Sequence, residues 1–295
     1  MRLPHPPSPD FIHPRPMRGA EVVAGFKDEE DDGVEFDPRR DISKKDWERM
    51  KGELEEYRGD DNEEMTGGEW WTFGSVAKDL LILFPDRRAE LNLDQEAFDG
   101  MKKIIEEDRG NNSWWDFGGD AADLVDIFPD RKKELDLTVE IFETMERELW
   151  KSRNEHWPVF CYTAVRLVVL FPERRKELNL DVECFNEINN ELQKLRDKNW
   201  EEFSAVAASL MLLFPDRKDD IKLDEKAFQA MKSELDKNHI RGSWQSFIHI
   251  ATNLFILAAE RAEIVNGQIV ITPKKPKLTR EPKPLPVRSN IASAR

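Results

Sequence analysis

Histidine, cysteine and carboxylate side chains could give this chain nucleophilic, acid–base or metal chemistry, but their spacing supports none of these. His5, His13, His156, His239 and His249 are scattered, and none has a second ligand at metal spacing. There is no His-Glu-x-x-His, no Gly-rich phosphate loop and no nucleophile elbow. Cys161 and Cys184 are too few for a disulfide framework or a Cys-type zinc site. The acidic stretch Asp60, Asp61, Asn62, Glu63 and Glu64 lacks the alternating ligands and terminal bidentate Glu of a calcium loop. Carboxylate pairs are abundant, as a chain with 60 Asp and Glu residues produces by chance. The expectation is a protein that is not an enzyme and requires neither cofactor nor metal.

Basic residues are better placed for binding. Arg87-Arg88, Arg131-Lys132, Arg174-Arg175 and Arg217-Lys218 recur at regular intervals, each pair after an acidic residue. Stacking would align them into a ladder able to grip an acidic peptide or a phosphate backbone; alternatively they pair with their own or a neighbouring unit's acids. A second basic element lies at residues 273–295, where Lys274, Lys275, Lys277, Arg280 and Lys283 are interspersed with prolines. That composition predicts an extended, positively charged tail suited to a partner. The tail carries a net +6 on a chain of net charge -15, so the body is acidic and repels nucleic acid at long range. Nucleic acid is therefore a partner only through the tail.

The elements that carry these groups repeat every 43 or 44 residues. Trp70, Trp114, Trp157, Trp200 and Trp244 keep this interval, and Phe-Pro follows at 84–85, 128–129, 171–172 and 214–215. After each Trp, apolar residues recur with the 3.6-residue period of one buried helical stripe, as in Phe73, Ala77, Leu80 and Leu83. Ser113, Asn199 and Ser243 precede their Trp as N-caps. The proline then ends the helix and starts a second, short one. A third helix begins at Ser43, Asp94, Thr138, Asp181 or Asp224, each with an apolar residue before it and an aromatic four after it, such as Leu93 with Phe98. That is the hydrophobic staple. In register, Cys161 and Cys184 fall at small or apolar core positions, where a free Cys behaves as a small hydrophobe.

A unit of this length cannot bury its apolar face alone and must stack on its neighbours. The reading is an all-α solenoid of about four full units, each helix, short helix, helix, with partial end units and a small C-terminal β-hairpin. Residues 1–35 are expected to form a disordered or loosely packed acidic leader, 36–262 the repeat array, 263–272 the hairpin and 273–295 the tail. The hairpin follows from Asn266-Gly267 between two β-branched runs. It is expected to cap the exposed end of the last helix and to recruit residues 21–26 as a further strand. No apolar run approaches the roughly 18 residues of a membrane span, and the N-terminus has no secretory h-region, which places the protein in the cytoplasm.

The period and helix content over residues 36–262 resemble HEAT and armadillo repeats at the level of the class. The resemblance implies an extended surface for protein partners, and hence a noncatalytic interaction or scaffold module; the alternative is an accessory subunit tethered to nucleic acid or a ribonucleoprotein through the basic tail.

Overall fold

A computed structural model describes residues 37–58 and 68–272, all within the compact unit that begins at Phe36. The leader, most of the acidic linker and the basic tail, with Lys274, Lys275, Lys277, Arg280 and Lys283, lie outside the described residues, as does the expected strand at 21–26.

The described chain is helical apart from one hairpin. Five helices begin at or just before the repeated Trp: α2 (Gly68–Leu83), α4 (Trp114–Ile127), α6 (Trp157–Leu170), α8 (Trp200–Leu213) and α10 (Trp244–Ala258). Five others carry the staple: α1 (Lys44–Glu56), α3 (Gln95–Asn111), α5 (Val139–Glu155), α7 (Val182–Leu195) and α9 (Glu225–Arg241). A 3-10 turn starting at Pro38, Pro85, Pro129, Pro172 or Pro215 precedes each of α1, α3, α5, α7 and α9. After three of these turns the backbone enters the left-handed region at Asn92, Asp136 and Asn179, a conformation that Asn and Asp tolerate best among residues with a side chain.

Helix starts largely follow the sequence. Asp94, Asp181 and Asp224 accept hydrogen bonds from the backbone N–H groups of Ala97, Cys184 and Ala227, and Ser43 forms a full capping box with Asp46. Asn199 caps α8 by accepting from Glu202 N at 3.1 Å. Thr138, Ser113 and Ser243 stand at N-cap positions without a side-chain cap bond, and Ser113 donates to the Asp116 carboxylate instead. The staple aromatics Trp47, Phe98, Phe142 and Phe185 are buried, each meeting the edge of the Phe-Pro ring of the following unit at 5.2–5.4 Å. Four of the repeated Trp residues are less buried than the stripe suggests: Trp70, Trp114, Trp157 and Trp200 are only half-buried, whereas Trp244, with His239 and Arg49 against its ring at the seam, is buried.

The array is not elongated. Helices α2, α4, α6, α8 and α10 pack in sequence, and α10 then packs against α2, closing an inner ring with α1, α3, α5, α7 and α9 outside. Closure is made by the two half-units. The last unit ends after α10 without its Pro turn and outer helix, and the leading turn and α1 fill that place: Arg39 stacks over Phe255, Arg49 approaches Trp244, and His239 Nε2 lies 3.2 Å from Asp46 Oδ1. His239 therefore belongs to α9 at the seam. The extended concave face of an open solenoid does not exist in this unit.

The hairpin pairs Arg261–Val265 (β1) with Gln268–Thr272 (β2) in antiparallel register through Asn266 and Gly267, both at positive φ. It covers no free helix end, since closure leaves none. It lies across the C-terminal ends of the inner ring, with β1 on α8 and α10 and β2 on α4. A Cβ on Gly267 would stand 2.5 Å from the carbonyl oxygen of Val169 on α6, so the turn can approach that closely only as glycine.

Candidate functional site

The eight recurrent basic residues are absorbed by the ring itself. The first of each pair ion-pairs with the acid three residues on, Arg87 with Glu90, Arg131 with Glu134, Arg174 with Glu177 and Arg217 with Asp220. Each also lies over the staple aromatic of the preceding unit, Trp47, Phe98, Phe142 or Phe185. The second of each pair reaches the next inner helix and donates to a terminal carbonyl: Arg88 to Ile127, Lys132 to Val169, Arg175 to Leu213 and Lys218 to Ala259. The last turn of a helix leaves its carbonyls unpaired and partially negative, which a cation from the neighbouring unit satisfies.

The inner ring encloses a different set of groups. Four positions recur in its lining, the fifth, eighth, ninth and twelfth residues after the repeated Trp, on the helix side opposite the outer helices. At the fifth position the five units carry Ser75, Gly119, Tyr162, Ala205 and His249. The ninth holds Asp79, Asp123, Arg166, Ser209 and Asn253, with Lys78 and Thr252 among the eighth residues and Asp126 among the twelfth. They surround a cavity of about 350 Å³ whose base is Ile269 of the hairpin. Trp71 and Trp115 stand directly after the repeated Trp, where the inner helices begin, and remain 49% and 38% exposed.

Two ion pairs organise this lumen. Lys78 Nζ of α2 lies 2.7 Å from Asp123 Oδ1 of α4. Asp79, only 4% exposed, holds His249 of α10 with Oδ2 3.1 Å from Nδ1, and Thr252 donates to the Asp79 carbonyl oxygen at 3.3 Å. Enclosure disfavours charge on Lys78, but Asp123 and Asp79 outweigh it and hold the ammonium above its ordinary value. His249 obeys the same balance: desolvation opposes the imidazolium, the Asp79 hydrogen bond and charge favour it, and the net shift is upward.

Other groups in or beside the lumen lack such partners. Burial pushes the Asp126 carboxyl up to about 8; Lys78 works against the shift, Asp123 and Asp79 add to it, and a backbone hydrogen bond with Ile269 opposes it. Beside the lumen, burial and neighbouring carboxylates raise Asp120 of α4, which shares a hydrogen bond with Asp108 of α3. Arg166 extends from α6 along α4. Its guanidinium lies 4.1 Å over the Trp115 ring, Nη1 donates to the Trp115 carbonyl oxygen at 3.0 Å, and a Cβ on Gly119 would come within 2.8 Å of Nη2. No carboxylate lies within ion-pair distance of Arg166 among the described residues.

The polar arc therefore runs from α10 through α2 and α4 to α6, and α8 contributes Ala205, Ala208 and Leu212, an apolar wall but for Ser209, whose hydroxyl donates to the Ala205 carbonyl oxygen. Such a lumen can hold a small molecule by a few fixed polar groups against an apolar surface. Among the described residues no three His, Cys, Asp or Glu side chains are grouped to hold a metal ion, and no helix is long and apolar enough to cross a membrane. Cys161 and Cys184 are buried free thiols. Of the described residues named from sequence, only His249 enters the lumen. The signal for the rest was a polar or charged residue on helices that are apolar on their other faces, at positions that change from unit to unit.

The fold and site define a closed ring of five helix pairs with a polar lumen. No family model, no curated protein and no solved structure matches the chain.

Proposed function

We propose that the protein is a noncatalytic binding module whose recognition site is the lumen of the ring, entered at the Trp71 and Trp115 end. The observation that carries this reading is the contrast between two stripes of the same helices. The stripe facing the outer helices repeats the same apolar residues in every unit, as stacking requires, whereas the inward stripe differs in every unit and supplies Lys78, Asp79, Asp123, Asp126, Arg166 and His249. Stacking alone would favour apolar residues at the inward positions, since enclosing charged groups costs several kcal/mol unless they are paired.

A protein partner is a second reading, favoured by the exposure of Trp71 and Trp115, because large exposed aromatics on a rim suit an interface. It retains the interaction role that the repeat suggests and moves it from a concave face to the rim. The test is native mass spectrometry of the full chain purified under mild conditions, beside Ala208→Phe, which fills the lumen without altering the rim. A bound small molecule present in the parent and lost from the variant is expected. Identical spectra, with the partner set lost only on Trp71→Ala and Trp115→Ala substitution, would transfer the function to the rim.

A further inference from the structure

We infer that the lumen takes a small organic carboxylate, bound through the Arg166 guanidinium with its apolar body against α8; this rests on the lumen being the recognition site. Arg166 is the lumen cation whose hydrogen-bonding capacity is least used. Lys78 has Asp123 and His249 has Asp79, whereas Arg166 spends one N–H on the Trp115 carbonyl oxygen and leaves the donors on Nε and Nη2 without a partner among the described residues. Two features hold the group in place: the Trp115 ring under the guanidinium, and the missing side chain at Gly119, where a Cβ would come within 3.0 Å of Cζ. A planar fork with open donors matches a carboxylate in shape and charge, and prior fixation of the side chain lowers the entropy lost on binding.

The surroundings narrow the ligand. The paired ions cancel, and the carboxyl of Asp126, enclosed at the base beside Ile269, favours its neutral form, which leaves the Arg166 guanidinium as the charge inside the lumen, with Asp120 and Asp116 of α4 acting on it from beside the cavity. That selects a monoanion over a cation. Val165, Ala205, Ala208 and Leu212 offer apolar surface to the rest of the ligand, and the cavity of about 350 Å³ restricts it to a small molecule.

Calorimetric titration of the full chain with hexanoate, hexanamide and hexylammonium tests the assignment. The expected result is hexanoate binding at least tenfold tighter than hexanamide, no detectable hexylammonium binding, and loss of the preference in Arg166→Gln. Gly119→Ala retains the charge and suits a helix, yet displaces the guanidinium; it should weaken hexanoate binding while the far-ultraviolet circular dichroism stays unchanged. Equal binding of acid and amide, tighter binding of the ammonium, or no binding of any probe overturns the carboxylate assignment. If all three bind alike and Ala208→Phe blocks them, the lumen reading survives without it. If hexanoate keeps its preference in Ala208→Phe, the site lies elsewhere and both readings fall.

Discussion

Asp79 on the first inner helix holds His249 on the last, Oδ2 to Nδ1 at 3.1 Å, across the seam where the repeat array closes on itself. The two residues are 170 positions apart, so this contact is possible only in the closed ring. Because the folded state raises the His249 pKa above its unfolded value, the pair contributes its full stability below the unfolded value of about 6.5 and loses it as pH rises through the folded value. His249→Gln should flatten this part of the profile of melting temperature against pH. A variant whose loss of stability relative to wild type is the same at pH 5.5 and pH 9 would show that the charge on His249 plays no part in closure.

Asp126 should act with the opposite sign. Its folded pKa of about 8 lies above the ordinary carboxyl value, so the folded state binds the proton more tightly than the unfolded chain does. No penalty exists below the unfolded value; it grows as pH rises and is complete above about 8. Asp126→Asn removes a buried group that must ionise, and should raise the melting temperature by several degrees at pH 8.5 but little at pH 4.5. Thermal melts of both chains at the two pH values check this.

Much of the ring's construction was legible in the sequence, because stacking asks the same thing of every unit. The caps at Asp94, Asp181 and Asp224, the staples, the Pro turns and the hairpin at Asn266-Gly267 follow from local chemistry that the chain states several times. Closure was not legible. It depends on residues meeting across the whole array, His239 with Asp46 and His249 with Asp79, and on the leading half-unit supplying what the last one lacks. The lumen was hidden for the same reason. Lys78 or Arg166 alone looks like a solvated charge on a helix, and only the ring brings both to one cavity. The one sequence trace was their register, Lys78 with Ala208 and Arg166 with Asn253, on helices whose opposite side is apolar.

The second basic residue of each pair should matter more for stability than the first. Arg175 donates to the Leu213 carbonyl at the end of α8, which loses its cationic partner if Arg175 becomes Met. Arg174 lies over the Phe142 ring and pairs with Glu177 at the surface, where such pairs contribute little, and it caps no helix. Arg175→Met is expected to cost about 1–3 kcal/mol in chemical denaturation, and Arg174→Met less. Equal losses would contradict the capping role.

Burial also reorders the aromatic residues. Trp200 is half-buried in the first turn of α8, whereas Phe203, one turn later, is 0% exposed and meets the Trp200 ring edge-on at 5.1 Å. Phe203→Ala should cost about 3–5 kcal/mol, and Trp200→Ala should fall below that range despite removing the larger side chain. Urea denaturation monitored by circular dichroism gives both values. A larger loss for Trp200→Ala would place the weight of the repeat on its Trp.

Close packing at two glycines makes a sharper comparison. A Cβ on Gly100 of α3 would stand 2.3–2.6 Å from three ring atoms of Trp70, and an indole fixed between helices has no free end to withdraw. A Cβ on Gly118 of α4 would stand 2.6 Å from Met145 Cε, the far end of a flexible side chain. Alanine favours a helix over glycine by about 1 kcal/mol, a gain available at both positions. At Gly118 rotation of the Met145 terminus preserves most of that gain, so Gly118→Ala should be close to neutral. At Gly100 the indole must shift or the helices must separate, and overpacking of this kind costs about 1–3 kcal/mol. Gly100→Ala should therefore lower the melting temperature where Gly118→Ala leaves it within a degree or two; the reverse order would mean that Trp70 is not held against α3.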